Sequence, residues 1–242
     1  MFESQFQRAE ELLSDLEVEY LLSLKNKEVS DRAKILTRDY CITLNSILDQ
    51  VMNKYFEEKI APTLSSIDRT EAKKRIYFPI SNSRNGLPSK LGQMKIKNLQ
   101  KMDYKVFSFL KSCQPYYDSS YKWLLDLHKY TNERHVRLTP QKKTENTRFT
   151  VNSKEGCVII LDNVIAEDGG ILIDGKKIHS VLASTPESSY ISCDPRLDVT
   201  TEILVNFYFE GTDLEVLKFC KECLPKTKEL VKQFLELFKI LV

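Results

Sequence analysis

The sequence predicts an α+β protein with an N-terminal helical bundle, an antiparallel β-rich segment and C-terminal helices. In the first half, apolar residues recur at steps of three and four, which is the period of a helix face. After residue 145 they fall in short runs rich in β-branched and aromatic residues, separated by turn-forming residues. We therefore expect a helical bundle over 1–140 and a β-rich segment with C-terminal helices over 145–242. The alternative is that the last helix packs back on the bundle, so that the chain forms one unit.

The first two helices are the most clearly marked elements. The first carries one apolar stripe and closes near Asn26. Ser30 or Asp31 is placed to cap the second helix, because a short side-chain oxygen accepts a hydrogen bond from a free backbone N–H of the first turn. The second helix should run to about Lys59 and stop before Pro62, since proline lacks the donor N–H.

The spacing of apolar residues is less regular over 63–91, and a helical spacing returns after that stretch. It predicts one helix from near Asn98 to Cys113, where Gln114-Pro115 breaks it, and another from about Asp118 to Arg134. The composition of 139–143 is typical of a linker.

Six short segments after this linker have strand composition, and no helical segment separates them, so antiparallel pairing is the simpler topology. They are 148–152, 157–161, 170–174, 177–183, 190–193 and 200–209. Helical spacing resumes at the end of the chain, where Thr212 and Glu215 have the spacing of a capping box. Pro225 should divide this region into two helices, because a proline ring clashes with the preceding turn.

The bulk composition excludes several classes of protein. The 36 basic and 34 acidic side chains leave a formal charge of +2, which excludes a strongly basic nucleic-acid protein but not a local basic patch. No apolar run reaches the roughly 18–20 residues of a membrane span. The N-terminus is polar, unlike a signal peptide, and six scattered cysteines are typical of reduced, packed thiols. We expect a cytoplasmic protein with no membrane partner, no metal and no cofactor.

The first candidate site lies on the helix before the linker. His128, Asn132 and His135 are spaced four and three residues apart and share a helix face, with Arg134 and Arg137 beside them. Imidazole and guanidinium groups together can hold a phosphate and move a proton near neutral pH. The alternative is structural: His128 is partly buried, and His135 caps the helix C-terminus, where a cation is favoured.

A second polar group lies on the second helix. Arg38, Asn45 and Asp49 share roughly one face, with Gln50 beside them. An aspartate inside a helix is locally unfavourable and usually has a partner. The structural alternative is therefore a polar pair or salt bridge inside the bundle, such as Asp49 with Arg134. The two interpretations are compatible, because a buried ion pair can also order a phosphate site.

Two weaker patterns favour structural roles. Cys220 and Cys223 form a lone C-x-x-C without further zinc ligands at short spacing, so core cysteines are favoured. A mildly basic run is more often a solvated face than a nucleic-acid surface. It consists of Lys95, Lys97, Lys101, Lys105 and Lys111.

Four motifs occur in an order that resembles a broad group of uncharacterised bacterial helical-bundle proteins. That group has D-x-x-x-x-L-R-S-x-L-D-H in an early helix, then F-P-I, then Q-P-Y, and then L-x-x-L-x-N-x-D-K-H-R. The corresponding residues here are Asp39, Leu44–Ser46 and Leu48–Gln50, then Phe78–Ile80, then Gln114–Tyr116, and then Leu124, Leu127 and Asn132–His135. The resemblance covers roughly 38–138.

In that group, the arginine and histidine of the first motif have the R-x(4–6)-H spacing of HEPN-type ribonucleases. The resemblance implies a HEPN-like bundle of the kind that often dimerises and cleaves RNA without a metal. It also suggests a bacterial defence or toxin–antitoxin component. This chain has Asn45 and Gln50 at the two positions, and an amide supplies neither a cation nor an acid–base group.

Two functions follow from these patterns. We favour a non-catalytic interaction protein that contacts a protein partner or a second copy, because the expected Arg/His pair is missing. The alternative is a metal-independent ribonuclease or RNA-binding protein. It would use His135 as general acid or base and Arg134 and Arg137 on the phosphate. The binding groups would be His128, Asn132, Arg38, Asn45 and Asp49. Convergence of these side chains in an open cleft would favour chemistry, and burial with mutual hydrogen bonds would favour structure.

Overall fold

The computed structural model describes residues 2–132, 141–152, 158–162, 165–166, 171–173, 175–185 and 187–237. It confirms the α+β class, with helices first, small antiparallel sheets in the middle and a helix last. The packing of the described residues divides them into two compact units. The helical unit takes those within Met1–Ser23, Ser30–Pro140 and Leu214–Val242, and the strand unit takes those within Leu24–Val29 and Gln141–Asp213.

Two long helices open the chain where their apolar stripes predict them. Helix α1 spans Glu3–Asn26 and helix α2 spans Asp31–Tyr55. Ser30 is the N-cap of α2: its hydroxyl oxygen accepts the Ala33 N–H at 3.0 Å, and the hydroxyl donates to Glu19 of α1 at 2.6 Å. Twelve residues of α2 are buried, so α2 is the central element of the helical unit.

The helical path continues past α2 as a π-helical turn over Phe56–Ile60 and a 3-10 turn over Ala61–Thr63, close to the predicted end. The stretch that follows is more helical than its irregular spacing predicts. Its helices and those after it are α3 (Ser66–Lys73), α4 (Gly86–Gln93), α5 (Leu99–Met102), α6 (Tyr104–Ser112) and α7 (Lys122–Asn132). The single helix predicted from Asn98 is interrupted at Asp103. The carboxylate of Asp103 caps α6 by accepting the Val106 N–H at 3.1 Å.

The last helix, α8, spans Val216–Leu237 without a break, so the predicted division at Pro225 is wrong. A proline inside a helix removes one donor and crowds the preceding turn. Burial of ten residues of α8 offsets that cost. The helix begins after the predicted capping box, and the Thr212 hydroxyl instead donates to the carbonyl of Phe209 at 2.8 Å.

Helix α8 belongs to the helical unit and packs on α2, α6 and α7. Its Phe234 is fully buried at a point where three other aromatic rings converge. They are the rings of Tyr55, Phe78 and Phe109, at centroid distances of 5.8, 6.1 and 5.6 Å. Aromatic clusters of this kind bury a large apolar area, so they anchor α8 to the bundle.

The cysteines of the C-x-x-C pattern are core residues. Cys220 and Cys223 are fully buried in α8 near Cys41 of α2, and burial raises the pKa of both thiols. The hydroxyl of Tyr40 donates to the Cys220 carbonyl at 2.7 Å. Among the described residues, no group of three or more His, Cys, Asp or Glu side chains is arranged to hold a metal ion.

The strand unit contains two small sheets, and every described pairing in it is antiparallel, as predicted. In the first, β1 (Gln141–Asn152) lies between β2 (Val158–Asp162) and β7 (Asp198–Phe209). In the second, β5 pairs with all the others. Its strands are β3 (Ile165–Ala166), β4 (Ile171–Ile173), β5 (Lys176–Leu182) and β6 (Tyr190–Cys193).

The start of β1 corrects the predicted linker. Residues 141–143 pair with the end of β7, in a register that runs from Gln141 opposite Phe209 to Asn152 opposite Asp198. Pairing with a distant strand overrides the polar local composition here. Both sheets contribute to one apolar core, which includes Phe149, Val151, Ile178 and Val181.

The length and polarity of the helices relate to the expectation that the chain has no membrane span. Within the described ranges, no helix is both long enough and apolar enough to cross a bilayer.

Candidate functional site

The two central polar residues of α2 bond to each other and to the F-P-I segment. The Asn45 side-chain amide donates to Asp49 Oδ2 at 2.9 Å, and Asp49 Oδ1 accepts the backbone N–H of Phe78 at 2.9 Å. Asn45 is only 8% exposed. A backbone N–H in an extended segment outside any sheet needs such an acceptor, because a buried unpaired donor is costly. The first and second motifs are therefore joined by hydrogen bonds.

The other two candidate site residues of α2 bind different side chains. The guanidinium of Arg38 pairs with the adjacent Asp39 carboxylate at 2.9 Å. The side-chain oxygen of Gln50 accepts a hydrogen bond from the Gln5 amide of α1 at 2.6 Å. Asn45 and Gln50 thus each bond to another side chain of the helical unit, one within α2 and one between helices.

Gln114 of the Q-P-Y motif holds the other end of the F-P-I segment. Its side chain is fully buried, and its oxygen accepts the Ser81 N–H at 2.8 Å. Its nitrogen donates to the carbonyls of Pro79 and Leu110 at 2.9 and 2.7 Å. One amide therefore satisfies three backbone groups, which ties the second motif to the end of α6.

His128 lies half-buried on α7. Burial lowers the pKa of its imidazole, and the positive charge of Lys90 lowers it further. The pKa of Lys90 is itself lowered by burial, and its ammonium lies 5.3 Å from the centroid of the Tyr77 ring. Burial also raises the pKa of Tyr77, and the charge of Asp49 adds to that shift. His128 is thus kept neutral beside a cation, which is the form that can accept a proton or a hydrogen bond.

The rest of the first candidate site lies outside the described residues. This applies to Arg134, His135 and Arg137, and to the predicted pair of Asp49 with Arg134. Asn132 is the last residue of α7, and its side chain is not among those described. The convergence of His128 with these residues stays a prediction.

A groove of about 400 Å³ lies beside Tyr116 of the Q-P-Y motif, and the sequence patterns do not predict it. We call it the aromatic groove; it is bounded by the loop that carries Arg84, the first turn of α4, Gln100 and α6. The polar and aromatic side chains that line it are Arg84, Gln100, Phe107, Lys111, Tyr116 and Tyr117.

The loop that presents Arg84 is held by Ser81. The Ser81 hydroxyl donates to the Ser83 carbonyl at 3.0 Å and accepts the Ser83 N–H at 3.2 Å. Gly86 lies so close that an added Cβ would come within 1.8 Å of the Ser81 hydroxyl oxygen. The Asn85-Gly86 pair therefore serves close packing at the start of α4, because a larger side chain at position 86 would have to displace Ser81.

The opposite wall of the aromatic groove comes from α6 and the Q-P-Y motif. Phe107 and Lys111 are four residues apart and share one face of α6. The Lys111 ammonium lies 5.5 Å from the centroid of the Tyr117 ring. Burial raises the pKa of Tyr116, whereas the positive charge of Arg84 acts in the opposite direction. Cations and aromatic rings therefore face the same space.

The lysine run does not act as one face. Lys95 forms ion pairs with Asp68 at 3.3 Å and with Glu71 at 3.0 Å, both on α3. Lys111 instead lines the aromatic groove. Spacing within the run could not separate these two roles, because the partners come from other parts of the chain.

A second groove, of about 360 Å³, lies between the turn before α7 and α8. Its lining includes Trp123, Leu230 and Pro225, together with one cation, Lys226, and one carboxylate, Glu229. Charge is therefore balanced in this groove, in contrast to the aromatic groove.

Comparison with known proteins gives no match to any family model, curated protein or solved structure. The functional argument therefore rests on the residues and on the geometry above.

Replacing Asp49 tests its structural role. We expect Asp49→Ala to lower the free energy of unfolding by about 1–3 kcal/mol, because the Phe78 N–H and the Asn45 amide lose their acceptor. Asp49→Asn is the matched control, since its carbonyl oxygen can still accept the Phe78 N–H, and we expect a smaller loss. Urea denaturation followed by circular dichroism measures both. Wild-type stability of Asp49→Ala would contradict this role.

The lowered pKa of His128 predicts a pH dependence. Because the folded pKa lies below the unfolded value of about 6.5, the unfolded state binds more protons in the window below 6.5. The contribution of neutral His128 is therefore fully present above that pH and is lost as the pH falls through the folded pKa. We expect the stability of wild type relative to His128→Gln to decrease between pH 7.5 and 5, measured by urea denaturation. A constant difference would show that His128 does not titrate with folding.

Proposed function

We propose that the helical unit is a non-catalytic interaction module, HEPN-like in its bundle, which binds a partner without transforming it. The proposal rests on the hydrogen bonds that Asn45 and Gln50 form. These two residues stand where the resembled ribonucleases have arginine and histidine, and their amides bond to Asp49 and Gln5 within the helical unit.

Both positions lack the chemistry that RNA cleavage needs. An amide does not titrate near neutral pH, so it cannot exchange a proton with a ribose hydroxyl. It also carries no net charge to stabilise a phosphorane. Burial of Asn45 further supports a packing role, since a group that touches a substrate must be reachable from solvent.

The surface of α1 supports a second copy of the chain as one partner. Val18, Leu21 and Leu22 lie on one side of the helix at steps of three and four, with exposed fractions of 58%, 68% and 50%. Exposed apolar clusters of this kind often mark protein interfaces. The resemblance implies dimerisation as well, and it suggests a bacterial defence or toxin–antitoxin context for the module.

The alternative is a metal-independent ribonuclease that uses His135 with Arg134 and Arg137. One observation favours it: His128 of α7 has a lowered pKa, so a neutral imidazole is available near pH 7. A neutral imidazole is the form that a general base requires.

Oligomeric state tests the α1 surface. We expect light scattering on a sizing column to give twice the chain mass of 28.2 kDa for wild type. The double variant V18E/L21E should be monomeric, because two carboxylates in an apolar interface are costly to bury. The matched control S4E/Q7E adds the same charge at exposed positions of α1 and should remain dimeric. A monomeric wild type, or a dimeric V18E/L21E, would rule out this surface as the interface.

Cleavage assays test the absence of chemistry. Wild type, His135→Ala and the control Lys129→Ala are incubated with labelled single-stranded RNA and transfer RNA in EDTA, with a mock purification as background and folding checked by circular dichroism. We expect no cleavage above background by any of them. Cleavage by wild type and Lys129→Ala that disappears in folded His135→Ala would overturn the proposal in favour of the ribonuclease.

A further inference from the structure

We propose that the aromatic groove binds a single-stranded nucleic acid, with phosphates on Arg84 and Lys111 and a base stacked on Tyr117. This inference deepens the proposed function, because it names a partner for a module that binds without cleaving.

The charge of the aromatic groove selects an anion. Two cations line it, and none of the described residues lining it is acidic. The carboxylates nearest in sequence to its α6 wall are used as helix caps. Asp103 accepts the Val106 N–H at 3.1 Å, and Asp118 accepts the Ser120 N–H at 2.8 Å. Uncompensated guanidinium and ammonium groups around one space fit phosphate groups.

The aromatic rings select a planar group next to the anion. The Tyr117 residue is 63% exposed, and Phe107 and Tyr116 line the same space. A simple anion gains nothing from contact with exposed rings, whereas a nucleic-acid base can stack on them. The Lys111 ammonium beside the Tyr117 ring strengthens such stacking. Phosphate and planar base together define a nucleotide. The volume of about 400 Å³ lies within the usual range for ligand sites.

The length of the surface favours a strand over a free nucleotide. Tyr104, Phe107 and Lys111 follow one face of α6 at steps of three and four, and Tyr104 is 66% exposed. Seven residues of helix extend about 10 Å, so aromatic and basic groups continue beyond one base. Exposed Lys101 and Lys105 add positive charge in the same stretch. A duplex hides its base faces, so rings that stack on bases require a single strand.

Binding is measured by fluorescence anisotropy with a labelled RNA of about twelve nucleotides in EDTA. The variant R84A/K111A removes both cations of the aromatic groove. Its control, K218A/K232A, removes two exposed lysines of α8, so the net charge of the two variants is equal. Tyr117→Ala removes the stacking ring, and Tyr117→Phe keeps the ring without the hydroxyl. Each sample is also run on a denaturing gel.

We expect R84A/K111A to bind at least about tenfold more weakly and to reduce the slope of log affinity against log salt by about 1.4, since each phosphate contact to a single strand contributes about 0.7. Tyr117→Ala should bind about tenfold more weakly. K218A/K232A and Tyr117→Phe should bind like wild type.

Several outcomes would overturn the inference. One is the absence of RNA binding by wild type at low salt, and another is equal loss in the matched controls. If heparin or a phosphopeptide competes as well as RNA, and Tyr117→Ala binds RNA with wild-type affinity, the surface recognises negative charge and not bases. A mononucleotide that competes as well as the strand would refute the extended site.

The gel separates this inference from the proposed function. RNA that is bound and intact supports both. Bound RNA that is cleaved overturns only the non-catalytic function, and RNA that is neither bound nor cleaved overturns only this inference.

Discussion

The helical unit depends on how the F-P-I segment is held. This segment is extended and lies outside both sheets, so its backbone polar groups need side-chain partners. Asp49 accepts the Phe78 N–H, and Gln114 bonds to Pro79 and Ser81. With these three backbone groups satisfied, Phe78 packs on Phe234 of α8, and the loop that follows presents Arg84. The partly buried side chain of Asp49 and the buried side chain of Gln114 therefore connect the core to the surface that we propose as a binding site.

Local patterns predicted the elements whose ends are marked by nearby residues. The extents of α1 and β6 and the Ser30 cap follow from apolar spacing, strand composition and one hydroxyl group. The predicted boundaries that were wrong belong to elements whose extent depends on residues distant in sequence. β1 begins at 141 because β7 pairs with it, and α8 passes through Pro225 because its apolar face is buried on the bundle. Neither partner is visible in the local sequence, so propensity alone misplaced both boundaries.

The same distinction between local and distant contacts applies to the candidate sites. Helical spacing correctly placed Asn45 and Asp49 together, but it could not show that Phe78 would be the third member of their network. The aromatic groove has no spacing signature, because a loop, three helices and the segment at Tyr116 and Tyr117 each contribute part of its lining. The nearest sequence signal was the lysine run, whose members face different neighbours once the chain folds. Such a site emerges only from the three-dimensional packing.

The order of the elements has a consequence for synthesis of the chain. The Tyr40 hydroxyl donates to the carbonyl of Cys220, a contact that spans 180 residues of sequence, and all the strands fall between the two helices in the order of the chain. While the ribosome extends the chain, the apolar face of α2 that α8 covers stays without that cover until α8 has been synthesised. Contacts this distant slow folding, because a long loop must close before they form. Until then the rings of Tyr55 and Phe78 lack their contact with Phe234, and uncovered apolar surface of this kind makes a partly synthesised chain prone to aggregation.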